Sequence, residues 1–90
     1  MLRDKLLNMP CRIKIDYRGC GDQRFADQRR IESRFGLQIL GARMGGMDSN
    51  CTVEIQDAET GEHAVVNGYH PPFELYIYPG QIVECEGAPC

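Results

Sequence analysis

Residues 51–67 have the sequence CTVEIQDAETGEHAVVN, which is typical of a β-hairpin. Apolar residues alternate with polar ones over residues 51–57, as they do in a strand that has one buried face and one exposed face. Residues 57–62 predict a type I turn followed by one residue in the left-handed conformation. Gly61 stands at that last position, which glycine adopts without strain. The chain should therefore return over residues 63–67 as a second strand, antiparallel to the first.

The chain before this hairpin predicts a strand, a helix and another strand. Residues 11–18 alternate with a period of two, and residues 37–44 form a strand-like segment that ends at a glycine pair. Between them, residues 22–35 predict a helix, because Asp22 is a favourable N-cap and Gly36 is a favourable residue after a helix end. The predicted buried stripe of this helix consists of Phe25, Ile31 and Phe35.

The chain after the hairpin predicts a break and two more strands. Residues 67–72 contain a glycine and two prolines, which should interrupt the sheet. Residues 73–78 alternate again, and the side chains predicted to face the core are Phe73, Leu75 and Ile77. Pro79 and Gly80 then favour a turn into a last strand over residues 81–86.

Together these elements predict an α+β fold with one main helix packed on a four- to five-stranded antiparallel sheet, in the order β-α-β-β-β-β. The connections after the helix are too short for parallel crossovers. Ninety residues suffice for one small core, so residues 1–90 are expected to form a single domain. Residues 1–9 are expected to be a flexible or short helical arm, and residues 87–90 a loose tail.

Charge is distributed unevenly along the chain. Residues 1–45 contain all ten basic residues and five acidic ones, whereas residues 46–90 contain eight acidic residues and no basic one. A folded chain of this kind must either bring its two halves together or display two surfaces of opposite sign. The pattern therefore directs attention to the surface of the sheet.

Cysteine usage and the amino terminus bear on location and chemistry. No apolar run could cross a bilayer or serve as a signal core, so a cytoplasmic location is expected, or the host cytoplasm if a phage encodes the chain. The five cysteines are odd in number and irregularly spaced, which favours free thiols, although a Cys85–Cys90 pair stays open. Their spacing does not suit zinc, and no cofactor is expected. Cys20 lies beside glycines near Arg18, but no catalytic motif accompanies it, so the protein is not expected to be an enzyme.

The favoured function is a small non-enzymatic protein-binding module, an inhibitor or adaptor. Tyrosine buries a large area at a low cost in side-chain entropy, and carboxylates steer a positively charged partner. The predicted partner-binding residues on the late strands are Glu74, Tyr76, Tyr78, Glu84 and Glu54. The expected partner is a protein with a basic surface, for example a nucleic-acid-handling host defence complex that a phage protein inhibits.

The alternative function is a nucleic-acid-binding domain that uses the arginine-rich helix and the first strand. Basic side chains on these elements could neutralise phosphates, although the net charge of −3 weighs against this function. The candidate residues are Arg12, Lys14, Arg18, Arg29, Arg30, Arg34 and Arg43. A homodimer is a further expectation, because surfaces of opposite charge or two sheet edges can pair by symmetry.

Overall fold

The computed structural model describes residues 1–18, 25–45 and 48–85, together with the backbone of residues 88–89. These residues form an α+β structure around one antiparallel sheet, which confirms the predicted fold class. The elements are α1 (Leu2–Leu7), β1 (Ile13–Asp16), α2 (Ala26–Phe35), β2 (Leu37–Met44), β3 (Asn50–Asp57), β4 (His63–Tyr69), β5 (Glu74–Cys85) and β6 (Ala88–Pro89). The described residues contain no helix long and apolar enough to span a membrane.

The strands of the sheet do not follow their order in the chain. From one edge to the other they are β1, β5, β4, β3 and β2, all neighbours are antiparallel, and β6 pairs with the end of β5. The predicted hairpin is confirmed as β3–β4. In the remote pairing of β1 with β5, Ile13 lies opposite Ile77 and Ile15 opposite Leu75. This pairing brings the basic first half of the chain against the acidic second half.

One face of the sheet is apolar, and both helices pack on it. The alternation of β1, β3 and β5 correctly predicts most of its buried positions, since every second residue of a strand points to the same side. The buried core consists of Leu2, Leu6, Ile13, Ile15, Ile31, Cys51, Val53, Ile55, Ala64, Val66, Leu75 and Ile77. Removal of these side chains from water is the main stabilising contribution to the fold.

Helix α1 belongs to this core. Leu2 and Leu6 are four residues apart, lie on one face of the helix and are at most 2% exposed. Lys5 donates a hydrogen bond from Nζ to the carbonyl oxygen of Gly36 at 3.0 Å and lies 3.6 Å from Asp57 Oδ2. Gly36 has the predicted left-handed conformation at the end of α2. Through Lys5, α1 is therefore fastened both to the end of α2 and to the β3–β4 turn.

Asp57 organises the β3–β4 turn, and its carboxylate is buried. Its Oδ1 accepts hydrogen bonds from the backbone N–H groups of Glu59 at 2.8 Å and Thr60 at 3.3 Å. The bond from Glu59 is the largest cause that lowers the pKa of Asp57, and Lys5 contributes to the same shift. Gly61 follows with φ 78°, the left-handed conformation that the turn sequence predicts. The turn thus satisfies its backbone donors with its own side chain.

Helix α2 contacts both edge strands of the sheet. Asp27 Oδ2 accepts a hydrogen bond from the backbone N–H of Asp16 in β1 at 2.9 Å. Glu32 Oε2 accepts one from the backbone N–H of Ile39 in β2 at 2.6 Å. Edge strands carry N–H groups that lack a neighbouring strand and need acceptors. The two carboxylates of α2 supply these acceptors and hold opposite edges of the sheet to one helix.

Two aromatic residues that were predicted to be buried are exposed. Phe25 immediately precedes α2, which begins at Ala26, and its side chain is 45% exposed. The predicted N-cap, Asp22, lies outside the described residues. Phe73 precedes β5 in a turn with φ 65° and is 67% exposed. Both predictions fail for the same reason, since each residue lies just before the regular element whose period was applied to it.

The predicted ends of β1 and β4 are also wrong. β1 covers only Ile13–Asp16, so Cys11 is exposed instead of facing the core. β4 does not stop at residue 67 but continues to Tyr69. Gly68 makes this continuation possible, because a Cβ at that position would lie only 2.7 Å from the carbonyl oxygen of Tyr76. A glycine that appears to break the strand instead permits a close approach between β4 and β5.

The turn predicted at Pro79 and Gly80 does not form. β5 runs from Glu74 to Cys85, and both of its halves pair with β4. The pairing shifts within β5, because Tyr78 lies opposite Asn67 whereas Ile82 lies opposite the adjacent residue of β4. The proline and glycine therefore form an irregularity inside one long strand, which is a position that tolerates proline in a sheet.

The packing around Gly68 yields the first prediction. Replacing Gly68 by alanine should lower the free energy of unfolding by about 1–3 kcal/mol, as overpacking in a core does. The new methyl group would lie 2.7 Å from the Tyr76 carbonyl oxygen and 2.9 Å from Val53 Cγ2. Urea unfolding followed by circular dichroism measures the loss.

The matched control is Gly80→Ala, because a Cβ at that position meets no atom within 4 Å. This variant should unfold close to the wild-type midpoint. Equal losses in the two variants would contradict the explanation by close packing.

Candidate functional site

The exposed face of the sheet carries three tyrosines beside Lys14 of β1 and Arg12, which precedes that strand. Because β1 pairs with β5 and β5 with β4, Lys14 lies opposite Tyr76, which in turn lies opposite Tyr69. Tyr78 is two residues further along β5, on the same face. We call this group the tyrosine surface, consisting of Arg12, Lys14, Tyr69, Tyr76 and Tyr78.

Side chains of the tyrosine surface contact one another through their rings and cations. The ring centroids of Tyr69 and Tyr76 are 6.0 Å apart, with an angle of 35° between the ring planes. Arg12 Cζ lies 5.4 Å from the centroid of Tyr76, and Lys14 Nζ lies 6.0 Å from it. Tyr69 is 37% exposed, whereas Tyr76 and Tyr78 are half-buried. The surface therefore presents aromatic rings next to positive charge.

Glu74 is neutralised by basic groups of its own chain. Its carboxylate accepts a hydrogen bond from Arg18 Nη2, accepts another from the Tyr76 hydroxyl at 2.8 Å, and lies 3.3 Å from Lys14 Nζ. The hydrogen bond from Arg18 is the largest cause that lowers the pKa of Glu74 to about 2, followed by the bond from Tyr76. The hydrogen bond to Glu74 also raises the pKa of Tyr76. The carboxylate of Glu74 thus holds Lys14 and Tyr76 of the tyrosine surface in place.

The five predicted partner-binding residues fall into two groups. Glu74, Tyr76 and Tyr78 lie together along β5, as the alternation predicts. Glu54 and Glu84 are on the same face but line a separate groove of about 510 Å³, together with Arg43 and residues of β2, β4 and β5. Ile82, two residues before Glu84, packs against the core. We call this second site the acidic groove.

A basic depression lies between β1 and α2. It has a volume of about 360 Å³, and its charged lining consists of Arg12, Lys14, Arg30 and Arg34. Arg30 also pairs with Asp27, and Arg34 Cζ lies 5.2 Å above the ring of Phe35. No carboxylate is among the described residues that line the depression. Four of the seven predicted nucleic-acid-binding residues therefore converge on one concave site.

Arg12 connects this basic depression to the tyrosine surface. It lines the depression and also a shallow site formed with Tyr69, Tyr76, Tyr78, Pro71 and Glu74. The remaining predicted basic residues lie elsewhere: Arg18 is bound to Glu74, Arg29 is on the exposed side of α2, and Arg43 is on β2 in the acidic groove. Four of the predicted basic residues thus form one cluster, and the other three lie outside it.

The expectation of free thiols is correct for two cysteines and wrong for a third. Cys11 and Cys51 are free, whereas Cys85 is disulfide-bonded. Burial raises the pKa of Cys51, which disfavours the reactive thiolate. Cys20 and Cys90 lie outside the described residues. Within the part of the chain that the structure describes, no group of three or more His, Cys, Asp or Glu side chains could hold a metal ion.

Sequence reasoning missed the neighbourhood of the tyrosines. The alternation in β5 correctly predicts that Tyr76 and Tyr78 share a face, but it carries no information about which strand lies next to them. Tyr69 was missed because its segment was expected to interrupt the sheet. The segregation of charge along the sequence was the one signal that could have indicated this neighbour. Opposite charges on adjacent strands stabilise a sheet, so Lys14 of β1 favours a place beside Glu74.

The ion pairs of Glu74 predict how stability responds to acid. A carboxylate whose pKa is lowered in the folded state stabilises the fold fully above its ordinary value of 4.5 and loses that effect as the pH falls toward about 2. Glu74→Gln should therefore be less stable than the wild type at pH 7. The difference between the two proteins should shrink steadily between about pH 5 and pH 2.

Thermal unfolding at a series of pH values measures this difference, and Glu59→Gln serves as the control. Glu59 is an exposed residue of the β3–β4 turn with no ion pair among the described residues. This control should follow the wild-type curve. If Glu74→Gln and wild type stay separated by the same amount down to pH 2, the ion pairs do not stabilise the fold as described.

Comparison of the chain with protein-family models, with curated proteins and with solved structures found no match.

Proposed function

We propose that the protein is a non-enzymatic binding domain that takes single-stranded nucleic acid across the tyrosine surface and the basic depression. The observation that carries the proposal is the position of Arg12, which lines both sites and so joins a group of cations to a group of aromatic rings. Cations that follow a backbone beside stacking rings are the recurring arrangement in proteins that bind single strands.

Phosphates fit the basic depression. Arg12, Lys14 and Arg34 surround a concave site whose described lining contains no carboxylate. Mutual repulsion among these cations is relieved when an anion enters, and guanidinium groups donate two parallel hydrogen bonds to phosphate oxygens. Arg30 can turn from Asp27 toward the ligand because its side chain is exposed. The depression supplies the electrostatic part of the binding.

Bases fit the tyrosine surface. Tyr69 is the most exposed of its three rings and lies within 6.0 Å of Tyr76, so the two rings offer neighbouring platforms. Every base can stack on an aromatic side chain, and each stacked base contributes about 1–3 kcal/mol to the binding free energy. The hydrogen bond between the Tyr76 hydroxyl and Glu74 fixes the orientation of that ring before binding. The expected recognition is therefore tolerant of base sequence.

The acidic residues of the chain limit where nucleic acid can lie. Glu54 and Glu84 are in the acidic groove, and Glu59 and Glu62 are at the β3–β4 turn, so all four lie outside the lining of the basic depression and outside the tyrosine surface. Because like charges repel phosphates, the strand is confined to the β1 side of the sheet. A net charge of −3 is compatible with binding when the positive residues are concentrated in this way.

Fluorescence anisotropy with a labelled single-stranded oligonucleotide tests the proposal. Binding should weaken with salt, with a slope of about −0.7 in the double logarithmic plot for each phosphate contacted, so three or four contacts give about −2 to −3. Arg12→Gln combined with Arg34→Gln should weaken binding and reduce this slope. Tyr69→Leu should cost about 1–3 kcal/mol of binding free energy with little change in slope.

Matched controls keep the test specific. Arg3→Gln removes an exposed cation of α1, and Phe73→Leu removes an exposed ring outside the tyrosine surface. Neither should change the affinity. Absence of binding at low salt, or equal losses in the controls and the site variants, would overturn the proposal.

A second candidate function uses the acidic groove to bind a basic protein segment. Glu84 is half-buried there and has no ion pair among the described residues, while Glu54 is 3.6 Å from His63. A cation that enters the groove therefore meets two carboxylates beside Arg43, and the half-buried Glu84 is the one whose charge pairing is stronger than in water. This candidate retains the docking role expected from the sequence, now centred on the glutamates instead of the tyrosines.

An arginine-rich peptide is a suitable probe for the acidic groove. Calorimetric titration should detect binding to the wild type, and Glu54→Gln combined with Glu84→Gln should abolish it. Glu59→Gln removes one carboxylate outside the groove and should bind as the wild type does. Peptide binding that survives the double substitution would exclude the groove as the docking site.

A further inference from the structure

The second half of β2 is an open sheet edge. In the part of the chain that the structure describes, β2 is the last strand of the sheet, and residues 40–45 are exposed. The backbone N–H of Gly45 bonds to the carbonyl oxygen of Asn50 at 3.0 Å, toward β3. Because the direction alternates along an antiparallel strand, the N–H groups of Ala42 and Met44 point away from β3. These groups are available to another strand.

An apolar groove adjoins this edge on the core side of the sheet. Its volume is about 820 Å³, and its lining includes four large hydrophobic side chains that are exposed. They are Phe25 at 45%, Leu40 at 42%, Met44 at 52% and Phe73 at 67%. Exposed apolar residues gathered around one groove mark an interaction site more often than scattered ones do.

We propose that two copies of the chain associate by pairing β2 with β2 across a twofold axis at Ala42. In this register Ala42 lies opposite Ala42 of the second copy, and Leu40 lies opposite Met44. The outward N–H and C=O groups of Ala42 then bond reciprocally with those of Ala42 in the second copy, as in any antiparallel ladder. Leu40 and Met44 bring the apolar grooves of the two copies together, which buries the exposed hydrophobic side chains.

The other face of β2 is self-complementary in charge in the same register. Arg43 of the second copy lies opposite Gly41, and Gly41 lies opposite Glu54 in β3. Two strand spacings separate the arginine from the glutamate, about 10 Å between backbones, which the two long side chains can span. Gly41 leaves the path free, because even a Cβ placed there meets no atom within 4 Å. Each interface therefore gains two Arg43–Glu54 ion pairs by symmetry.

A second copy suits this edge better than an unrelated strand. Edge strands that stay unpaired are usually guarded by charged side chains, above all lysine, by proline or by a β-bulge. The irregularity of β2 lies between Ile39 and Gly41, and its pairing with β3 is regular from Gly41 to Met44. Residues 40–45 contain no proline and no lysine, and their single charge is Arg43. Arg43 has no ion pair among the described residues. The complement that Arg43 needs, an acidic residue one strand inside an open edge, is present on the same chain.

The association leaves the proposed nucleic-acid site free. β1 and the tyrosine surface lie toward the opposite edge of the sheet from β2. A dimer would thus carry two copies of that site and gain affinity for longer strands through bivalency. The dimer does not depend on the proposed function, and each can fail without the other.

Sedimentation velocity over a range of concentrations tests the dimer. The wild type should form a dimer as concentration rises, and Ala42→Pro should raise the dissociation constant at least about tenfold, because proline removes an outward N–H and blocks pairing. Ala42→Ser is the matched control and should dimerise. A wild type that stays monomeric at all concentrations, or a proline variant that dimerises normally, would overturn the inference.

A charge-swap mixture tests the register directly and does not rely on proline. Arg43→Glu places two carboxylates against each other across the interface, and Glu54→Arg places two guanidinium groups there, so each variant alone should be monomeric. An equimolar mixture should form heterodimers, since each new charge then faces its complement. Ion pairs within one chain cannot produce this rescue. Self-association of both single variants, or a mixture that stays monomeric while the wild type dimerises, contradicts the register.

Discussion

The pairing of β1 with β5 is the constraint on which the rest of the structure depends. It brings Lys14 and Arg18 to Glu74 and thereby neutralises part of the charge that is segregated along the sequence. It also determines the path of α2, which follows β1 at one edge of the sheet and precedes β2 at the other. The helix must cross the apolar face, and its carboxylates Asp27 and Glu32 bind the two edge strands.

The same pairing determines the chemistry of the exposed face. The tyrosines of β5 would lie among acids if their neighbours came only from the second half of the chain. With β1 beside them, Arg12 and Lys14 contact the ring of Tyr76, and the glutamates of the acidic groove lie further across the sheet. The pairing of β1 with β5 therefore separates a basic aromatic region from an acidic groove on a single sheet. The two proposed binding functions follow from that separation.

Local pattern predicted the regular elements well and their relations poorly. The hairpin β3–β4 and the buried positions Leu75 and Ile77 follow from the period of two, which needs only neighbouring residues. The place of β1 beside β5 could not be predicted. The two strands are far apart in the sequence, and their pairing depends on packing and charge interactions between residues that a short stretch of sequence does not contain together. Pro79 and Phe73 were misplaced for a related reason, since a bulge and a turn depend on the partner strand.

The most direct test of the β1–β5 pairing is the set of cross-strand nuclear Overhauser effects in the isotopically labelled protein. The register predicts backbone contacts between Ile13 and Ile77 and between Ile15 and Leu75. Contacts of β1 with any other strand, or none to β5 in a folded protein, would contradict the topology and with it the placement of cations beside the tyrosines.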